Sequence, residues 1–176
     1  MVSFSLDANW FKTTKQMTVF GDRQAVVGKH YLEYEVGIYP SGGVHTYTSN
    51  GADAYDEGIN CSIAEELSEA DWTLDKWYHL AWTLNGNHEI VYVNGVNVGE
   101  FDKANSGTKP GTHTLDIGRR QGGSLQFTGA VDEVAIFNVA LSEADVQISM
   151  NQGLARVLTA VSPSGKLTTT WGQIKQ

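Results

Sequence analysis

The segment EIVYVNGVNVGEF, residues 89–101, decides how the rest of the chain is read. Asn94 and Gly95 are the residue types that adopt positive φ most readily, and a type I′ turn needs positive φ at both central positions. They separate Ile90–Val93 from Val96–Phe101, two runs of β-branched and aromatic residues, so the segment predicts two antiparallel strands joined by a tight turn. Just upstream, Asn85-Gly86 gives a second turn signal after KWYHLAWTL (76–84).

The same pattern continues in both directions. Strands are predicted over 4–12, 17–21, 31–39, 43–49, 76–84, 89–94, 96–101, 114–119 and 124–138, with Gly, Asn, Asp and Ser between them. One helix is expected, with Ser142 as its cap, Asp145 at the capping-box position and Gly153 as its stop. Residues 62–70, SIAEELSEA, suggest a further helical turn. So many strands with so little helix predict an all-β domain over 1–153, a two-sheet antiparallel β-sandwich or a barrel with one short C-terminal helix. The stretch 154–176 changes character at Pro163-Ser164-Gly165 and is read as a C-terminal tail.

Composition narrows the function. The chain has 176 residues, enough for one domain with a real core, and a formal charge of −8. That charge argues against nucleic acid as a partner, because no excess of Lys or Arg is available to displace phosphate counterions. No apolar run is long enough for a membrane span, and no signal peptide is expected where VSFSLDA follows Met1 directly. Cys61 is the only cysteine, which rules out an internal disulfide and a cysteine zinc site.

Three phrases, DKWYHLAWTLNG (75–86), EIVYVNGVNVGEF (89–101) and LDIGRRQGGSLQFTGAVDEVAIFNVALSEADV (115–146), resemble in order and spacing the laminin G-like, concanavalin A-like jelly-roll family. The resemblance implies a jelly-roll sandwich, a fold that hosts lectins, glycoside-binding modules, glycosidases, lyases and adhesion domains alike. It also implies an extracellular or cell-surface setting. Members of the family usually carry one more strand before the FSLDANWF equivalent, paired beside the closing strand. The expectation here is therefore an unpaired sheet edge, covered by part of 155–174 or by a second copy in a homodimer.

Alternation splits each strand into two faces. Phe4, Leu6, Ala8 and Trp10, then Tyr78, Leu80, Trp82 and Leu84, Val91 and Val93, and Leu115 and Ile117 are expected between the sheets. The opposite set would line an outer, concave face: Asp7, Asn9, His79, Tyr92 and Asp116, with Arg119 and Arg120 at its rim. Carboxylate, amide, imidazole and aromatic groups together suit a sugar, whose hydroxyls need planar donors and acceptors and whose C–H faces stack on rings. An ordinary solvated sheet face has the same composition.

In FTGAVDEVAIFN, Asp132 shares the face of Val134 and Ile136, while Glu133 shares that of Val131, Ala135 and Phe137. Adjacent acids on opposite faces cannot act as a catalytic pair, and Asp132 is expected to point inward. The resemblance implies that Asp132 ligates a structural Ca²⁺ within an oxygen-only shell, although the usual partner ligands belong to the strand lacking here. The Glu-x-Asp-x-x-Glu strand of the fold's retaining glycosidases is absent, and Glu33 and Glu35 share a face without a third acid. The reading is a non-catalytic module that binds a glycan or polysaccharide. The second reading is a protein-adhesion or assembly module using the sheet edge or loop tips, and a glycoside hydrolase or polysaccharide lyase ranks third.

Overall fold

The computed structural model describes residues 3–13, 23–29, 33–49, 61–64, 67–68, 71–103 and 112–154, and along 3–13 and 61–62 it describes the backbone. The strand expected over 17–21, the acidic loop 49–58 beyond Ser49, and the tail from 155 onward lie outside these residues.

Among the described residues, ten strands form two antiparallel sheets. They are β1 (Ser3–Thr13), β2 (Gln24–Gly28), β3 (Tyr34–Ile38), β4 (Val44–Thr48), β5 (Cys61–Ala64), β6 (Tyr78–Asn85), β7 (His88–Val93), β8 (Val96–Asp102), β9 (Asp116–Ile117) and β10 (Gly129–Phe137). The first sheet runs β10-β1-β6-β7-β8 and the second β5-β4-β3-β2-β9. The β7–β8 turn is built as the sequence predicts, with φ of 51° at Asn94 and 73° at Gly95. A Cβ at Gly95 would also lie 3.1 Å from the Met150 side chain, so that position requires glycine twice over. The β6–β7 turn sits one residue later than expected: Asn85 pairs with His88, and only Gly86, at φ 68°, is left-handed.

Between the sheets, Val26, Val27, Val36, Ile38 and Val44 of the second meet Tyr78, Leu80, Trp82, Leu84, Val91, Val93 and Val98 of the first. The predicted inward faces of β6 and β7 are thus observed. A fully buried ion pair crosses this layer. The Glu89 carboxylate accepts from Thr46 Oγ1 at 2.8 Å and Trp82 Nε1 at 2.8 Å, and lies 3.2 Å from Lys103 Nζ.

The helix, α1 (Glu143–Gln152), has the expected capping box between Ser142 and Asp145 and ends at Gly153 with φ 79°. It packs on the outer side of the first sheet, where Leu141 and Val146 bury Ala81 and Tyr92. Two strands escape the sequence pattern. All five residues of β2 are buried, so its apolar run shows no alternation. β5 occupies part of SIAEELSEA, where Ala and Glu suggest helix, but pairing with β4 prevails.

β9 keeps the expected faces, since Asp116 pairs with Gly28 in the outward row and Ile117 with the core residue Val27. Burial is inverted all the same: Asp116 is buried, while Leu115 and Ile117 are 43% and 50% exposed. This edge strand has only two residues, and Gly118 turns it away at φ 74°. On the outer face Asp116 is held by Thr114 Oγ1 at 3.1 Å and Arg119 Nε at 2.9 Å.

β10 explains the paired acids. Val131 and Val134, three positions apart, both pack on the core because Glu133, at a left-handed φ of 52°, interrupts the alternation between them while the pairing with β1 keeps its register. Asp132 and Glu133 are both exposed, which corrects the inward placement of Asp132. Asp132 Oδ1 accepts from the Glu133 amide at 2.8 Å, beside this left-handed residue. β10 is an edge of the first sheet among the described residues.

Candidate functional site

The six ligand-binding residues read from the sequence do not share one face. His79 and Tyr92 lie on the outer side of the first sheet, but both are buried there, and Tyr92 packs in the cluster beneath α1. Burial, followed by the Glu143 and Glu100 carboxylates, raises the Tyr92 pKa, in keeping with a phenol enclosed by the helix. Asp7 is also in the first sheet, opposite Ala81 and Ala135, and Asn9 falls in the β1 irregularity between Ala8 and Phe11. Asp116 belongs to the second sheet, and Arg119 follows it. The continuous trough is corrected for a physical reason: one sheet's outer face is taken by the C-terminal helix.

The polar array lies on the outer face of the second sheet. Its register aligns Asp116 with Gly28, Gly28 with Glu35 and Glu35 with Tyr47 across β9, β2, β3 and β4. Val36 and Ile38 point into the core, so Glu35 points away from it, yet it is fully buried. Its carboxylate takes a forked pair of bonds from Arg120, 2.6 Å from Nε to Oε2 and 2.7 Å from Nη2 to Oε1. Arg23 Nε lies 3.4 Å from Oε1 on the other side. Such planar clasping is what guanidinium geometry allows and an ammonium does not.

Two ends extend from this clasp. At the β9 end, Glu33 lies 3.0 Å from Lys29 Nζ and 3.2 Å from His113 Nδ1, beside the Asp116–Arg119 pair. Arg119 is 57% exposed and uses only its Nε–H on Asp116, leaving its terminal N–H groups open among the described residues. At the other end, the Tyr39 ring is half-buried and meets His45 edge-on at 5.5 Å, with the Arg23 guanidinium 5.8 Å above it. Neither ring nitrogen of His45 has a hydrogen-bond partner among the described residues. Burial, then the charges of Arg23, Lys103 and Arg120, lowers its pKa to about 2 and keeps it neutral.

Sequence reading found Asp116, Arg119 and Arg120 but missed this clasp. The signal was Glu33-x-Glu35, set aside for lack of a third acid; its partners Arg23 and Arg120 are distant in sequence. Calcium at Asp132 does not fit the residues present. The side chain is exposed and accepts from the Glu133 amide, and among the described residues no three His, Cys, Asp or Glu side chains gather where a metal could sit. A calcium shell takes roughly six to eight oxygens. No described helix is long and apolar enough to cross a membrane.

Known structures place this architecture in context. A putative carbohydrate-binding protein from Bacteroides ovatus superposes with a TM-score of 0.63 at 20% identity, covering 85% of this chain and 40% of that one. The sialidase module CBM40 of Ruminococcus gnavus, bound to α2,3-sialyllactose, gives 0.64 at 14% identity, covering 85% and 83%. Domain 4 of an extracellular arabinanase from Geobacillus stearothermophilus, in complex with arabinotriose, gives 0.59 at 17%, covering 84% and 66%. The chain thus spans well under half of the first of these proteins. No curated protein sequence matches it. The sequence profile described as the concanavalin A-like lectin/glucanases superfamily matches residues 3–147, and the chain belongs to that superfamily.

Proposed function

We propose that the chain is a non-catalytic carbohydrate-binding module of a larger extracellular or cell-surface protein, with its sugar site on the outer face of the second sheet. One observation carries the reading: on the face opposite the helix, the register row of Tyr47, Glu35, Gly28 and Asp116 ends in the partly open Arg119–Asp116 pair. Arg119 offers N–H donors, Asp116 offers a carboxylate acceptor, and Tyr39 offers a ring at the far end. Gly28 puts no side chain between Asp116 and Glu35. The solved neighbours that bind sialyllactose and arabinotriose support the class of ligand. They differ too much in sequence to supply its identity.

Binding without turnover is favoured because Glu35 has both oxygens engaged by guanidinium groups and Glu33 is shared by Lys29 and His113. Glycan arrays followed by calorimetry on the best hits test the proposal. Arg119→Ala and Asp116→Ala should each weaken binding about ten-fold or more, as loss of a charged hydrogen bond predicts. A negative array with a concentration-dependent dimer would favour assembly instead, and turnover of any polysaccharide would overturn the non-catalytic reading.

A further inference from the structure

A second cavity, of about 300 Å³, opens at the end of the sandwich beside the β7–β8 turn. Its walls are Leu67, Trp72, Tyr78, Val93, Val96 and Val98, with Asp71, Lys76 and Asn94 also lining it. It shares no lining residue with the face described above.

The apolar part is rigid. Trp72 and Tyr78 meet edge-to-face at 4.9 Å and 65°. Trp72 Nε1 donates to Gly42 O at 2.8 Å, while Tyr78 Oη accepts from the Thr73 amide at 2.7 Å and donates to Asp71 O at 2.9 Å. With their polar atoms engaged, these residues offer a visitor only ring surface.

The polar part is open. Lys76 Nζ lies 5.3 Å from the centroid of the Tyr78 ring and has no carboxylate or hydrogen-bond partner among the described residues. Asp71 spends one oxygen, Oδ2, on the Ser68 amide and hydroxyl, both at 2.8 Å, and leaves Oδ1 unused. Asn94 accepts from the His79 amide through Oδ1 at 3.0 Å, which leaves its Nδ2 donors unused.

We propose that this cavity binds a neutral N-acetylated hexosamine unit, its acetamido methyl among the valines and its carbonyl and hydroxyl groups on Lys76, Asn94 and Asp71. The choice follows from elimination. A purely aliphatic side chain would use none of the three polar groups. An unsubstituted hexose would press hydroxyls against valines, which costs free energy unless they are hydrogen-bonded. A net charge of either sign would face one repelling group, Asp71 or Lys76. The cavity size lies at the lower end for small-molecule sites, as one sugar unit requires.

Calorimetry and ligand-observed NMR with N-acetylglucosamine and N-acetylgalactosamine, set against glucose and glucosamine, test the proposal. The acetamido sugars should bind about ten-fold more tightly than glucose. Val96→Trp at the exposed rim should abolish that binding without moving Tm, Lys76→Met should weaken it, and Asp116→Ala should leave it intact. Equal binding of glucose, retention in Val96→Trp, or no saturation at concentrations on the order of 10 mM would overturn the proposal. Loss in Asp116→Ala would also overturn it, by assigning the acetamido sugar to the sheet face. That outcome would leave the sheet-face site standing, whereas acetamido binding in this cavity that Arg119→Ala and Asp116→Ala leave unchanged, with no other glycan bound, would remove the sheet-face site and keep this one.

Discussion

At the scale of the residue, the two most instructive side chains are Glu89 and His45, both buried and both polar. Glu89 has donors on both oxygens and Lys103 beside it, so removing the acid alone would strand an ammonium in the core. Glu89→Ala should cost about 3–5 kcal/mol in urea denaturation, and Glu89→Leu with Lys103→Met should recover most of the loss. His45 has no such compensation. Its folded pKa is pushed far below the unfolded value of 6.5, so below pH 6.5 the unfolded chain takes up a proton that the folded chain refuses. Stability therefore falls as pH drops from 6.5 towards 2, by up to about 1.4 kcal/mol for each pH unit. His45→Leu should match or exceed wild-type stability at pH 7 and flatten the decline between pH 6.5 and 4.5, read from denaturation midpoints. Neither role was visible beforehand, because the sequence shows a histidine in a strand and not what faces its ring.

At the scale of the element, legibility followed the regularity of the backbone. The Asn94-Gly95 turn, the alternation in β6 and β7, and the capping box of α1 were all readable because each is a local rule obeyed locally. The failures share one cause. Alternation assumes a regular strand, and the register shifts in β1 between Ala8 and Phe11 and in β2 between Ala25 and Val27, with the left-handed φ at Glu133, break it. By strict alternation Phe11 would share the outward face of Asp7 and Asn9, yet it falls in register with Tyr78 and Val131. Glu133 makes the point testable, since a side chain at φ 52° is strained where glycine is not. Glu133→Gly should stabilise the fold by about 1 kcal/mol, while Glu133→Ala, which keeps the strain, should leave it near wild type. A loss of stability in Glu133→Gly would mean that the exposed carboxylate, not the backbone, holds this left-handed conformation.

At the scale of the whole molecule, the two sheets have different tasks because only one is covered by α1. Tyr92 and its cross-strand neighbour Ala81 lie on what the sequence reads as a ligand face, where polar and aromatic groups alternate with core residues. The helix that follows β10 then lays Leu141 and Val146 over them. The segment that decides this comes some fifty residues later in the chain, so no periodicity within β6 or β7 could reveal it. The second sheet carries its ion-pair clasp on the opposite outer face, with Arg119 exposed at its end. This asymmetry yields a paired expectation. Tyr92→Phe, which removes a hydroxyl beneath the helix, should shift Tm by a few degrees at most, about 1 kcal/mol for one lost hydrogen bond, and leave glycan affinity unchanged. Arg119→Ala, at an exposed position, should do the opposite: unchanged Tm and lost affinity. If calorimetry found the reverse pattern, the sugar would have to reach the helix-covered sheet. α1 would then have to move aside on binding, which amide hydrogen exchange over 143–152 would register as faster exchange in the presence of sugar.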